Sequence, residues 1–446
     1  MAGLFGTDGV RGVAGVDLTA DLARSIAGAA VAELATGRSS PLVVVGRDPR
    51  PSGAWLQEAV VDGLKSAGAD VALLGVIPTP AVARAVVEGV RGRDSLPAFG
   101  VVISASHNPV RDNGIKLFGP GGVKLDEAVE ERIEGRLASL HESGRRGVVV
   151  ADLTGDHEWY VEALLATLST RLDGLRLVVD CANGAAGRIA ADTYSRAGAN
   201  VTVINTDPTG AHINEGCGAT HLEALQAAVV NAGADMGIAH DGDADRCLAV
   251  SAEGEPIDGD AILAILALHA HARGNLRRDL VVATVMSNLG LQRLLAANGI
   301  SLAITPVGDR HVAERMRVEG AVVGGEQSGH VLLLDHATTG DGLLTGLHLA
   351  AAVVAAGRPI SALAGALQRL PQVLVNVTTT APVPAIAAAQ EVIDLVAAEL
   401  GDGGRVLVRP SGTEPLVRVM VEAETAAQAT ELAQRIVAAL RDGAER

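Results

Sequence analysis

Aromatic side chains are almost missing from this chain: Phe, Tyr and Trp make up 2% of its 446 residues, although 48% are hydrophobic. Its cores must therefore be filled by Val, Leu, Ile and Ala, and a hydrophobic share of that size excludes a disordered chain. Lysine is scarcer still. Only Lys65, Lys116 and Lys124 occur, and the other 33 of the 36 basic residues are arginine. The net charge is −16, and a chain without a basic face cannot neutralise backbone phosphates, so no nucleic-acid partner is expected. An anionic small molecule would need a pocket that is only locally positive. Cysteine is limited to Cys181, Cys217 and Cys247, far apart and without metal-type spacing, which fits reduced thiols in a cytoplasm. Long apolar runs are lacking too. The longest, Leu343 to Gly357, is too short to span a bilayer and carries His348, so it reads as a buried helix and no membrane association is expected. The start, MAGLFGTDGVRG, has no basic segment followed by an apolar block, so no secretory signal is expected.

At this length one hydrophobic core cannot serve the whole chain, and three or four domains are expected. Strand-like runs alternate with helical patterns: PLVVVG, a helix near Ser52 to Ala67, DVALLG, another helix, then FGVVI. This βαβ rhythm of a largely parallel sheet recurs as LRLVVD before NGAAG, which reads as a tight strand-to-helix turn, as ADMGIAH before DGDADR, and as LVVATVM before a helix. The last part differs: VLVNV, one long Ala-rich helix, RVLVRP, LVRVMVEA and a C-terminal helix suggest an antiparallel α+β unit, with Leu370-Pro371 as the linker. The expected fold is three related α/β domains, 1–150, 151–252 and 253–369, with mixed, mostly parallel sheets, plus an α+β domain, 370–446, around one central cleft.

Each proposed domain carries one polar loop. In the first, ISASHNPVRDNGIK (Ile103 to Lys116) follows an apolar strand with serines, a histidine, asparagines and a lysine that cannot extend a buried strand without partners. In the second, HDGDADR places Asp241, Asp243 and Asp245 at alternate positions with small spacers. Three carboxylates so close repel one another unless a cation sits among them, and hard oxygen ligands favour Mg²⁺ or Ca²⁺ over zinc. The downstream glycine and the twelfth-position glutamate of an EF-hand are missing, and three carboxylates leave open positions that suit Mg²⁺ bridging to a phosphoryl oxygen. In the third, GGEQSGH offers Glu326, Ser328 and His330; an extended loop would put Glu326 and Ser328 on one face, suiting neighbouring sugar hydroxyls, though a structural turn explains it as well. In the fourth, RPSGTEP supplies Arg409, Ser411, Gly412 and Thr413, with Arg418 on the next strand, as a phosphate nest. The N-terminal FGTDGVRG adds Arg11 among glycines that let backbone pass close to an anion.

The motifs SASHNP with DNGIK, DGDADR, GEQSGH and RPSGTEP, in this order and spacing, resemble the α-D-phosphohexomutase superfamily over essentially the whole chain. FGTDGVRG and the glutamine of GEQSGH are most similar to its amino-sugar branch; phosphomannomutase/phosphoglucomutase relatives typically carry methionine at the position of Gln327 and threonine at that of Ser104. The resemblance implies an isomerase, an intramolecular phosphotransferase that interconverts glucosamine 6-phosphate and glucosamine 1-phosphate through a phosphoserine and a 1,6-bisphosphate, feeding UDP-N-acetylglucosamine and cell-wall synthesis. Residue chemistry does not choose between Ser104 and Ser106; the family motif picks Ser106 as the phosphoryl carrier and as a ligand, with Asp241, Asp243 and Asp245, of one Mg²⁺. It further implies that His107, Glu326 and Ser328 contact the sugar phosphate, that Arg409, Ser411, Gly412, Thr413 and Arg418 hold the non-reacting phosphate, and that Arg11 and Arg246 steady the transferring group. Lys116 and His330 are the acid–base candidates, with their division of labour open. A homodimer is compatible with the sequence. Phosphomannomutase/phosphoglucomutase activity, a Mg²⁺-dependent sugar-phosphate phosphatase and a non-catalytic sensor are the competing readings.

Overall fold

The computed structural model describes residues 3–6, 8–139, 144–411 and 415–444. Two compact units emerge, one formed by Met1–Thr284 with Ala303–Ala364 and the other by Val285–Leu302 with Gly365–Arg446.

The first unit contains mixed sheets, each with parallel pairing and an antiparallel strand at one edge. In its N-terminal sheet the order is Val10–Val13, Asp112–Gly119, Phe99–Ile103, Leu42–Arg47, Asp70–Val76, Val149–Asp152, with Val123–Lys124 added beside Asp112–Gly119. Leu42–Arg47 runs parallel to both Asp70–Val76 and Phe99–Ile103, as short strands separated by helices require. The second sheet runs Pro256–Ile257, Leu248–Ser251, Met236–Ala239, Arg176–Asp180, Asn200–Ile204, and the third Ser301–Thr305, Leu280–Thr284, Val323–Gly325, Val331–Leu333. The polar loops follow strand ends in these sheets, where a parallel arrangement gathers binding residues.

The second unit holds a three-stranded antiparallel sheet, Gln372–Thr378, Leu416–Glu422, Arg405–Pro410, backed by the helix Ala426–Ala444. The single long Ala-rich helix expected here is two, Pro382–Ala388 and Gln390–Leu400, divided at Ala389, whose N–H is shared between the Ala385 and Ile386 carbonyls.

Small aliphatic residues do fill the cores. Val43, Val45, Val71, Val101, Ile103 and Ile115 pack with the alanines of the helix Ala20–Leu34 and with Phe99. That helix lies so close to Gly53–Ser66 that a Cβ on Gly63 would sit 2.2 Å from the Arg24 carbonyl. Each buried Val or Leu contributes about 1.5–3 kcal/mol, so many small contacts replace the missing aromatic rings.

One further expectation needs correction. The polar stretch from Ile103 to Lys116 is not one long loop: its second half begins the strand Asp112–Gly119, antiparallel to Phe99–Ile103, with Lys116 opposite Val102. Polar side chains fit this buried strand because neighbours satisfy them: Asn113 Nδ2 donates to Ser52 Oγ at 2.9 Å, and Lys116 meets carboxylates. FGTDGVRG leads into the strand Val10–Val13, which forms the sheet edge against Asp112–Gly119.

Candidate functional site

Ser104 and Ser106 leave the strand Phe99–Ile103 in opposite roles. Ser104 is fully buried; its Oγ donates to Asp48 Oδ2 at 2.7 Å and accepts the Ser106 N–H at 2.9 Å. Ser106 has φ +52°, a left-handed conformation that non-glycine residues rarely hold and that recurs at functional sites. The turn carries its Oγ to Asp241, to which it donates at 2.7 Å. His107 Nδ1 lies 3.3 Å from the same oxygen, and burial pushes its ring down to about 4, so the imidazole is neutral at pH 7.

The aspartate loop begins where the strand Met236–Ala239 ends. Ala244, at φ +57°, curls the chain back, helped by its N–H bond to the Asp241 carbonyl. One ligand oxygen from each of Asp241, Asp243 and Asp245 lies within 4.8 Å of the others, and all three residues are buried. Around a cation with metal–oxygen distances of about 2.1 Å, oxygens lie roughly 3–4.2 Å apart, a spacing these three oxygens can reach with small side-chain adjustments. Asp243 Oδ1 is buried without a hydrogen-bond partner, and Asp245 Oδ1 has only the His330 ring at 3.5 Å. Burial, then Asp245 and Asp243, push the Asp241 carboxyl up to about 7. A cation among them would satisfy the orphaned buried carboxylate oxygen and offset the repulsion that raises Asp241, so the residues fit a metal site.

A ring of opposite charges surrounds the aspartates. Lys116, 2% exposed, places Nζ 2.7 Å from Asp8, 2.8 Å from Asp243 and 3.4 Å from Asp245. Burial alone would lower its pKa, but Asp243, Asp8 and Asp245 outweigh it and hold the ammonium well above its usual range. His330 bridges Asp309 at 3.0 Å and Asp245, and the two carboxylates overcome burial to push it up to about 10. Both groups are cations at neutral pH in this state. Lys124 pairs with Asp8 and Asp309, so two of the three lysines serve this one network. Arg11 reaches Asp8 at 2.5 Å and Asn108 at 3.5 Å, while the Arg246 Nε is buried without a hydrogen-bond partner.

Glu326 and Ser328 do not lie on an extended loop. Gly329 at φ +89° and the bonds Gly329 N to Glu326 O and Glu326 N to His330 O, both 3.0 Å, close a tight turn between Val323–Gly325 and Val331–Leu333. Glu326 Oε1 accepts the Gly308 N–H at 2.9 Å, the Ser328 Oγ is buried and unbonded, and Gln327 Nε2 donates to Asp258 Oδ2 at 3.2 Å.

In the second unit, Arg409 and Arg418 stand opposite each other on neighbouring antiparallel strands. Burial and then Arg418 lower the Arg409 pKa, as expected where two guanidinium groups crowd together. The Ser411 Oγ is buried without a partner. Gly412 and Thr413 lie outside the described residues.

Sequence reasoning missed the support behind these side chains. Asp8 lies within FGTDGVRG, yet only the fold shows it holding Lys116, Lys124 and Arg11. Thr79 Oγ1 donates to Asp243 Oδ2 at 2.5 Å. Asp48 and Arg50, from GRDPR at the end of Leu42–Arg47, are fully buried beneath the Ser106 loop; a charged turn directly after an apolar strand was the available signal.

Four domain families, described as phosphoglucomutase/phosphomannomutase alpha/beta/alpha domains I, II and III and C-terminal domain, match residues 2–144, 158–254, 258–370 and 374–439. A phosphoglucosamine mutase of Frankia alni is 56% identical, covering 99% of this chain and 98% of that protein. One of Streptomyces griseus is 54% identical, covering 98% of each. Among solved structures, a phosphoglucomutase/phosphomannomutase family protein of Burkholderia thailandensis superposes with a TM-score of 0.84 at 28% identity, covering 99% of this chain and 98% of that one.

Proposed function

This chain belongs to the phosphoglucomutase/phosphomannomutase family, and from that premise we infer that it interconverts glucosamine 6-phosphate and glucosamine 1-phosphate. The observation that carries the reading is the Ser106 hydroxyl held on a buried aspartate cluster by a left-handed turn, in a chain whose full-length relatives are phosphoglucosamine mutases.

Ser106 is the phosphoryl carrier. Its O–P bond breaks as O1 of glucosamine 6-phosphate bonds to phosphorus; O1 gives up its proton and the Ser106 oxygen takes one, leaving the 1,6-bisphosphate and a free serine hydroxyl. After the intermediate reorients, the Ser106 hydroxyl loses its proton as its oxygen bonds to the phosphorus on O6, the O6–P bond breaks, and O6 takes a proton. The two half-reactions are the same chemistry in opposite directions, so one group can carry the proton from the attacking to the leaving oxygen in each. Lys116 is the first candidate and His330 the second; each is a cation while the bare carboxylates face it, and with Asp243 and Asp245 engaged by a divalent ion that pull is relieved, so the group can give up its proton and then act as base. Asp241, Asp243 and Asp245, with Ser106, would hold a divalent ion, Mg²⁺ by their hard oxygen donors and the positions they leave open, and it would withdraw charge from the phosphoryl oxygens. Arg11 and Arg246 steady the transferring group beside His107, Glu326 and Ser328 grip the sugar, and Arg409, Ser411, Gly412, Thr413 and Arg418 take the other phosphate. The four domains divide near residues 150, 252 and 369. No helix among the described residues is long and apolar enough to cross a membrane; a cytoplasmic site of action is proposed from the amino-sugar phosphate chemistry.

A panel of glucosamine, glucose and mannose 6-phosphates, followed by ³¹P NMR with the phosphorylated protein, tests the reading. A preference for glucosamine of roughly tenfold to a few hundredfold in kcat/KM is expected from one amine-for-hydroxyl contact. Equal efficiency on mannose phosphate would instead make the chain a phosphomannomutase/phosphoglucomutase.

A further inference from the structure

Two residues outside the reaction scheme converge on the Ser106 loop from different sheets. Arg50, 0% exposed, follows the strand Leu42–Arg47; Asn214 lies beyond Asn200–Ile204 of the second sheet. Arg50 Nη2 donates to the carbonyls of Ser106 at 2.9 Å and Asn108 at 2.8 Å, and Nη1 to Asp112 at 3.0 Å and to Pro109. Asn214 Nδ2 donates to the same two carbonyls, Ser106 at 2.9 Å and Asn108 at 3.1 Å. The Ser106 and Asn108 carbonyls thus each receive two buried donors.

This doubling falls on the one turn whose backbone needs it. Ser106 at φ +52° would relax towards ordinary strand or helix geometry if its carbonyl were free, and the Oγ would leave Asp241. The charge of Arg50 is matched by Asp48, whose Oδ2 accepts its Nε at 2.9 Å, and Asn214 is neutral, so the contribution of the pair is geometric. The aspartate loop rests on the same point: a Cβ on Gly242 would lie 2.7 Å from the Ser106 carbonyl and 2.9 Å from Asn214 Nδ2. We propose that Arg50 and Asn214 are positioning residues for phosphoryl transfer, a two-sided clamp that keeps Ser106 in its left-handed turn and its Oγ in register with the aspartate loop. The inference rests on Ser106 being the phosphoryl carrier.

Asn214→Gly gives the cleanest test. Asn214 itself has φ +59°, which glycine adopts without strain, and its N–H bond to the Ala182 carbonyl survives, so only the carboxamide is lost. Arg50→Lys keeps a charge for Asp48, but one ammonium cannot serve four carbonyls. Single-turnover transfer from phospho-Ser106 to glucosamine 6-phosphate, steady-state KM and thermal midpoint are measured for both. Asn214→Gly should slow transfer roughly tenfold to a hundredfold per folded molecule, with KM within about twofold, because a misplacement near 1 Å acts on the reacting geometry and not on substrate affinity. Transfer within twofold of the parent, or a loss expressed only in KM or in folded fraction, would overturn the clamp. Asn214→Gly decides the matter alone if Arg50→Lys does not fold. A parent protein that transfers nothing refutes the function itself, whereas an active parent with unimpaired variants refutes only the positioning role.

Discussion

Replacing Lys116 by arginine keeps the charge and changes what that charge can do. The ammonium sits 2.7 and 2.8 Å from Asp8 and Asp243 at 2% exposure, so the larger planar guanidinium has no free space. Shifting the charge centre from 2.8 Å to about 4 Å from one carboxylate oxygen weakens that pair by roughly 2 kcal/mol at an effective dielectric near 20. A phosphoryl group in transfer would lose a similar amount. Guanidinium also cannot release a proton at neutral pH, and loss of a general acid–base group costs roughly 10²–10⁴-fold. Lys116→Arg should therefore lower kcat by about 10²-fold or more, with substrate Kd changed far less. Lys65→Arg, in the last turn of the helix Gly53–Ser66, is the control. Stopped-flow or coupled turnover with isothermal titration for Kd measures both quantities. Near-normal turnover in Lys116→Arg would refute the proton and compact-charge argument, leaving Lys116 as an anchor and His330 as the acid–base group.

The serines should separate by function: Ser106→Ala loses nearly all mutase activity with the fold intact, while Ser104→Ala, which takes one of two donors from Asp48 Oδ2 and the acceptor from the buried Ser106 N–H, costs about 1–3 kcal/mol of stability and is still phosphorylated at Ser106 by peptide mapping. Chelation with EDTA should abolish turnover and Mg²⁺ restore it, with Asp243→Asn needing a higher Mg²⁺ concentration for half-activation; undiminished activity after chelation would exclude a required metal. His348, with Nε2 2.9 Å from Thr167 Oγ1, is pushed down to about 4 by burial and then by His336 and His269. An unfolded histidine binds its proton near 6.5, so this group stabilises the fold above that pH and the contribution, roughly 3 kcal/mol, is lost as pH falls from about 6.5 to 4. His348→Gln should flatten that acid limb in a plot of thermal midpoint against pH.

The chemistry-bearing loops were legible because each is a short polar departure from an apolar strand. DGDADR announces its carboxylates by spacing alone, and the metal-sized cluster is where that spacing puts it. What lay hidden depends on residues far apart in the chain. Asp8, Lys124 and Asp309 form their ring only when the N-terminal strand, Val123–Lys124 and the helix Asp309–Glu319 come together. Arg50 looks like a surface arginine in a chain with many, and only its four carbonyl contacts show why it is buried. Polarity misled at DNGIK, where the partners that make a buried strand tolerable come from elsewhere in the fold. At Glu326 and Ser328, two-residue spacing implied a shared face, but glycine geometry and two backbone bonds impose a turn.

The central claim is that Ser106 passes a phosphoryl group to a sugar and not to water. Protein carrying ³²P on Ser106 is mixed with unlabelled glucosamine 6-phosphate in H₂¹⁸O, and sugar phosphates and inorganic phosphate are separated. The label should appear first in the 1,6-bisphosphate and the sugar monophosphates, with little inorganic phosphate and no stoichiometric ¹⁸O incorporation. Label released chiefly as inorganic phosphate containing ¹⁸O, without glucosamine 1-phosphate, would contradict the account and make the chain a hydrolase.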